Sequence, residues 1–268
     1  MPVTQAGRII EARQLEFHLA HTCNLHCDGC AHYSNYSVKG ILPISEGGQW
    51  LETWARRITP QRFKFLGGEP TLNPDLIEYI ELVAKLWPDS HRILTTNGYF
   101  IERHPTLPRV LAETKTQLRI SFHSTDPKYA DKLTPVFEQL KDWVRNDGVD
   151  VAVDDATKGW YRTYRGTGKD MMPFEDRDPR AAWETCVNRY CMNLHDNRLW
   201  KCPPIAYLNT IEKRFKLRDN PAWRPYLEYE GVGPDISDED LEAFLAREEE
   251  PICEMCPARP VTYVKSIF

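Results

Sequence analysis

The chain has 268 residues, 41% of them hydrophobic, and a formal net charge of −5 at pH 7. That length supports one sizeable core and a small appendage, and the mild acidity excludes a broad nucleic-acid-binding face. No apolar run reaches bilayer-spanning length, and residues 1–13 carry no apolar signal core, so the expectation is a cytoplasmic protein that engages neither membrane nor nucleic acid. Eight cysteines without an export signal read as metal ligands rather than as a disulfide framework.

In chain order, an apolar run at 15–20 predicts a buried strand. It leads into Cys23-Asn24-Leu25-His26-Cys27-Asp28-Gly29-Cys30. Thiolates this close together on a loop can face one soft metal centre. Four cysteines complete the ligation of a cubane iron–sulfur cluster; three leave one iron open to a small molecule. A zinc site completed by His26 or His32 fits the same residues. Trp50, Leu51, Trp54, Ala55 and Ile58 recur at helical spacing and predict a helix over 43–58. A strand at 61–66 ends in Gly67-Gly68-Glu69-Pro70. Asn73 caps the next helix, with Pro74 first and Leu76, Ile77, Ile80 and Val83 as its buried stripe, and Pro88 stops it. Strands at 91–96 and 118–122 run into Asn97-Gly98 and His123-Ser124. Thr134 and Pro135 open a helix carrying Val136, Leu140, Trp143 and Val144, which ends before Gly148. Strand 149–153 follows, and a sixth strand is placed at 160–165. Between 169 and 180 the composition turns to Asp, Arg and Pro, which divides the chain into 1–175 and 176–268. Alternating strands and helices with short connections predict right-handed βαβ units and a parallel sheet. Each candidate site falls at a strand's C-terminal end, where α/β folds place their chemistry.

The cysteine triad after the first strand, followed by Gly-Gly-Glu-Pro after the second, resembles the radical S-adenosylmethionine (radical SAM) enzymes over roughly the first 155 residues. The resemblance implies an α/β fold: a partial (β/α)6 TIM-like radical SAM barrel. It implies that Cys23, Cys27 and Cys30 ligate a [4Fe–4S] cluster whose open iron binds S-adenosylmethionine. Gly67, Gly68 and Glu69 would hold the methionine ammonium, for bare glycine carbonyls and a carboxylate both suit a cation. Thr96, Asn97, Ser121 and His123 match positions that contact the ribose and the carboxylate. Gly29 departs from the family, which usually has an aromatic residue there; His32, Tyr33 or Tyr36 is expected to fill the space. An electron donor of the flavodoxin or ferredoxin type is implied as a partner.

Beyond the linker, residues 192–203 read as a hairpin turning at Asp196-Asn197, and Cys253-Glu254-Met255-Cys256 supplies a two-ligand elbow. The pattern is similar to the short C-terminal twitch form of the SPASM auxiliary-cluster module. It implies a second [4Fe–4S] cluster on Cys186, Cys202, Cys253 and Cys256; a zinc ribbon fits the same spacing. Cys191 is left over. It reads as a buried bystander, as a replacement for Cys186, or as a thiol that returns a hydrogen atom to a substrate carbon. No leader-binding domain of the kind found in peptide-modifying members is expected, so a small or sugar-like substrate is favoured. The length and tail spacing look like those of aminocyclitol dehydrogenases and of radical sugar epimerases. The spare Cys191 favours epimerisation; for oxidation, Arg162, Arg165, Asp154 and Asp155 are the candidate proton handlers. Peptide modification, or a non-enzymatic zinc or electron-transfer role, stands as an alternative.

Overall fold

The protein is described here by a computed structural model covering residues 8–267; residues 1–7, part of the stretch expected to lack a signal core, and residue 268 lie outside the described residues. Strands β1 (Ile10–His18), β2 (Ile58–Leu66), β3 (His91–Thr96), β4 (Gln117–Phe122) and β5 (Val151–Asp155) are joined in parallel. Strands β6 (Asn193–His195) and β7 (Arg198–Trp200) form an antiparallel hairpin, and β6 lies parallel to β1. The sheet order is β5-β4-β3-β2-β1-β6-β7. Four helices cover its outer side: α1 (Ile44–Ala55), α2 (Leu76–Leu86), α3 (Leu107–Glu113) and α4 (Pro127–Asp142). This α/β, mainly parallel sheet is consistent with a partial TIM-like barrel. No described helix is long and apolar enough to cross a membrane.

The side chains of a strand alternate between faces, and the register sorts them. Leu15 and Phe17 of β1, Phe63 and Phe65 of β2, Leu94 of β3, and Leu118 and Ile120 of β4 share one buried core with Leu51 and Trp54 of α1 and Ile80 and Val83 of α2. Burying each such side chain stabilises the fold by about 1.5–3 kcal/mol. The inner face carries the alternate residues, and most are polar: Gln14, Glu16 and His18, then Arg62 and Lys64, Gln117, Arg119 and Ser121, Asp154, and Asn193 and His195. They pair among themselves, with Lys64 Nζ 3.4 Å from Glu16 Oε1 and Arg119 Nε 3.6 Å from Asp154 Oδ2. A lining of this kind makes a polar chamber rather than a second apolar core.

Several boundaries differ from expectation. The first strand starts at Ile10 and ends at His18, because pairing with β2 extends it through residues whose inner face is polar. Ile58 begins β2 instead of closing α1; its carbonyl accepts from Trp87 Nε1 at 2.8 Å. Asn73 precedes α2 without starting it: Oδ1 accepts from Asp75 N, and Nδ2 donates to the carbonyls of Leu19 and Leu42. α3 was missed. α4 begins at Pro127, where Asp126 caps Lys128 N, and it runs through Pro135, which lies inside the helix. The fifth strand is Val151–Asp155. Residues 160–165 form no strand; only isolated bridges, Trp160 to Tyr263 and Arg165 to Met172, occur there. The strand beyond β5 in sequence is β6, and it joins the far edge beside β1.

The predicted hairpin is present. Asp196 and Asn197 both adopt positive φ, 50° and 54°, the left-handed pair that a two-residue turn requires and that Asp and Asn tolerate. Although it lies beyond residue 176, this hairpin continues the sheet of the preceding strands.

Candidate active site

β1 delivers the chain to the cysteine loop at the sheet's C-terminal edge. The glycine loop after β2 locks against it: Gly68 N donates to Ala20 O at 2.6 Å, and Glu69 N to Thr22 O at 2.9 Å. A Cβ on Gly67 would strike the Ala20 carbonyl, and one on Gly68 the carbonyls of His21 and Thr22. Both positions therefore need glycine for close approach of two backbones. Glu69 is buried, and donors converge on its carboxylate. Oε1 accepts from Thr71 N (3.0 Å), Thr71 Oγ1 (2.5 Å) and Thr96 Oγ1 (2.5 Å), while Oε2 accepts from Asn97 N (2.9 Å). Burial pushes its pKa up against the pull of those donors. Asn97 Nδ2 then donates to Asn24 Oδ1 at 2.8 Å, inside the cysteine loop. Gly67, Gly68, Glu69, Thr96 and Asn97 thus form one network that shapes the loop.

Cys27 is buried and Cys23 and Cys30 are half-buried. Burial pushes the Cys23 and Cys27 thiols up to about 12, so neither would ionise unaided; iron ligation deprotonates such thiols outright. The donor set suits that outcome. Leu25 N donates to Cys23 Sγ at 3.4 Å, and the backbone N–H groups of His32, Ser34 and Asn35 act on Cys30. Ser34 and Asn35 belong to a turn over Ser34–Tyr36, flanked by left-handed Tyr33 and Ser37. Successive N–H groups of this sort favour an anionic sulfur. The residues present therefore fit a thiolate-ligated cluster with one iron left open.

Ser121 lies on the inner face of β4. His123 Nδ1 is 3.8 Å from Cys27 Sγ and accepts from Lys265 Nζ at 2.9 Å. The space beside Gly29, whose φ is +68°, is closed by Tyr263, Arg162 and Trp160, and not by His32, Tyr33 or Tyr36. Tyr33 is buried with its hydroxyl donating to Pro204 O, and Tyr36 packs against Phe215.

Sequence reasoning missed a group of histidines at the chamber mouth. His18 and His32 stack at 5.0 Å, His18 Nδ1 lies 3.0 Å from His21 Nδ1, and His195 joins from the hairpin against Tyr207 at 4.8 Å. Burial depresses all of them, His21 and His32 to about 4, so they are neutral near pH 7. The Nε2 atoms of His18 and His32 are buried without a protein partner. The alternating polar residues of β1 carry the signal for this face, but only pairing with β6 brings His195 to it.

The second cysteine group also converges. Cys186, Cys202, Cys253 and Cys256 line one cavity of about 40 Å³, with Trp183 and Ile252 among its walls. Cys191 is not on that wall. Its Sγ lies 3.7 Å from Gln14 Nε2 beside Glu16, toward the polar chamber, and burial with Glu16 close by raises its pKa well above that of an ordinary thiol. Among the described residues, no three His, Cys, Asp or Glu side chains close on a single metal-ion position. Of the proton-handling candidates, Arg162 is held by Asp28 at 2.6 Å, Arg165 by Glu175 at 2.7 Å, and Asp154 and Asp155 pair with Arg119 and Lys158.

Parts of this sequence and its fold are shared with known proteins. GTP 3′,8-cyclase of Aquifex aeolicus is 28% identical over 123 residues, 44% of this chain and 38% of that protein. The Actinobacillus succinogenes enzyme of the same name is 24% identical over 194 residues, 68% of this chain and 55% of the relative. The match spans less than two thirds of either relative. The crystal structure of BtrN in complex with AdoMet and 2-DOIA superposes with a TM-score of 0.51 at 15% identity, covering 95% of this chain and 100% of that one; at that identity it speaks for the fold alone. The profile of the Radical SAM superfamily matches residues 18–146, the stretch that carries the cysteine triad, the glycine loop and His123, and this part of the chain is a Radical SAM superfamily domain.

Proposed function

We propose that the chain holds a [4Fe–4S] cluster on Cys23, Cys27 and Cys30 with S-adenosylmethionine on its open iron, and that it epimerises a small hydroxylated substrate such as a sugar or aminocyclitol. When bound, these groups supply one-electron cleavage of S-adenosylmethionine and a radical that takes a hydrogen atom from an unactivated carbon. The protein's part is to place the substrate and exclude water. On the inner face Gln14, Glu16, Lys64 and Asn193 are held by one another and by Cys191 and Tyr207, and the histidine group adds two nitrogens without a protein partner. Such polar groups, buried and fixed, suit a hydroxyl-rich ring and penalise an apolar one.

The observation that carries the reading is the position of Cys191. It stands apart from the cavity shared by Cys186, Cys202, Cys253 and Cys256, which we assign as ligands of an auxiliary [4Fe–4S] cluster. Its Sγ lies against Gln14, farther back along β1 than His18, and its raised pKa keeps it as S–H, the form that donates a hydrogen atom. The resulting sulfur radical needs one electron, which a flavodoxin- or ferredoxin-type donor would provide, and one proton, taken from solvent, to return to thiol. The oxidation reading has less support, because its four proton-handling candidates are occupied in ion pairs.

Two measurements test this. Cluster-loaded protein incubated anaerobically with S-adenosylmethionine and a reductant should form 5′-deoxyadenosine; none would sink the enzyme reading. With candidate sugars and aminocyclitols in deuterated water, one solvent deuterium should be fixed on product carbon, and that label should vanish in Cys191→Ala. A product two hydrogens lighter than substrate would instead identify a dehydrogenase.

A further inference from the structure

The segment 260–267 crosses the cysteine loop. Tyr263 N donates to Trp160 O at 2.8 Å, while His26 N and Asp28 N donate to the carbonyls of Ile267 (3.0 Å) and Ser266 (2.9 Å). Tyr263 Oη donates to Asp28 O at 3.1 Å, and Ile267 packs with Leu25 and Cys27. This places Lys265, 6% exposed, beside the triad. Its Nζ lies 3.4 Å from the centroid of the Trp160 ring and 2.9 Å from His123 Nδ1. No carboxylate among the described residues forms an ion pair with it; the same His123 Nδ1 that it touches lies 3.8 Å from Cys27 Sγ.

An ammonium taken out of water needs a compensating anion. A ring face and a neutral imidazole give only part of that compensation. The nearby groups able to become anionic are the thiols, which carry negative charge once they ligate iron. We propose that Lys265 is the fixed counter-charge of the iron–sulfur cluster on Cys23, Cys27 and Cys30, a positioning residue that raises the cluster's reduction potential and holds His123 as its Nε2–H tautomer. This rests on the iron–sulfur reading of the triad. A cation beside the cluster stabilises its more negative, reduced form, so neutralising the cation makes reduction harder.

The test is an anaerobic potentiometric titration, followed by electron paramagnetic resonance, of the cluster-loaded full chain as wild type, Lys265→Arg and Lys265→Gln. The signal that responds to S-adenosylmethionine marks the triad's cluster, and the other signal serves as an internal control. In Lys265→Gln the responsive signal should shift its reduction equilibrium at least tenfold, about 59 mV downward for one electron; in Lys265→Arg it should stay near wild type, and the control should not move. An unmoved potential in Lys265→Gln, or equal shifts in both variants, overturns the proposal. An unmoved potential with weakened S-adenosylmethionine binding also overturns it, by giving the charge to the ligand's carboxylate. If Lys265→Gln does not retain iron at the triad, retention in Lys265→Arg supports a charge requirement and loss in both contradicts it. A wild-type triad without iron would overturn the cluster reading as well; iron with an unmoved potential overturns the Lys265 assignment alone.

Discussion

The roles of Gly68 and Glu69 are set by backbone geometry as much as by any ligand. Gly68→Ala drives a methyl group into the Thr22 and His21 carbonyls, which are fixed backbone and cannot swing away. We expect a loss of about 1–3 kcal/mol, read as a lower urea midpoint with an unchanged slope. An unaltered midpoint would show that the two loops separate freely. Glu69→Gln replaces an acceptor-only carboxylate with a group that must aim an NH2 at one or more of four converging donors. Hydrogen bonds to a charged group are each worth about 1.5–3 kcal/mol, so a comparable loss is expected in the same assay. Because Asn97 ties this network to Asn24, S-adenosylmethionine cleavage should fall in parallel. Full activity in a stable Glu69→Gln protein would separate the network from the cysteine loop.

At the level of elements, the hairpin and the segment 260–267 decide what the sequence could reveal. The Asp196-Asn197 turn was legible because its left-handed residues follow from local chemistry, and strand 91–96 because it is short, apolar and bounded. The cysteine triad stood out by its spacing, but spacing alone fitted a zinc site as well as a cluster, and it was the Gly-Gly-Glu-Pro loop beside it that favoured the cluster. Three things needed tertiary pairing: β6 beside β1, which brings His195 to His18; Pro135 tolerated inside α4; and Lys265 laid across residues some 240 positions earlier in the chain. No local pattern encodes these. Likewise, spacing favoured Cys186 while leaving Cys191 as a replacement for it, and it is Cys186 rather than Cys191 that lines a cavity with the other three. Individual Ala substitutions at Cys186, Cys202, Cys253 and Cys256 should each cost one cluster's worth of iron, whereas Cys191→Ala should retain both clusters. Iron loss in Cys191→Ala would reverse the assignment and remove the proposed hydrogen donor.

Across the whole molecule, the inner face of the sheet trades stability for a polar lining. Its buried histidines make the fold sensitive to acid. Unfolded imidazoles titrate near pH 6.5, and burial depresses His18 well below that value and His21 and His32 to about 4. Below about pH 6.5 the unfolded chain therefore binds more protons than the folded one, and stability falls as the pH drops toward 4. It should be flat with respect to these groups above pH 7. Urea unfolding at a series of pH values should show the acid loss, reduced in His18→Leu; equal stability at pH 7 and pH 5 would mean the histidines are solvated.

The functional readings lead back to an iron–sulfur cluster on the N-terminal triad. The most direct measurement is the iron and acid-labile sulfide content of anaerobically purified protein, compared with a variant carrying Cys23→Ala, Cys27→Ala and Cys30→Ala together. The account predicts that the variant lacks about four irons and four sulfides that the natural sequence holds. Equal iron and sulfide in the two proteins would contradict it.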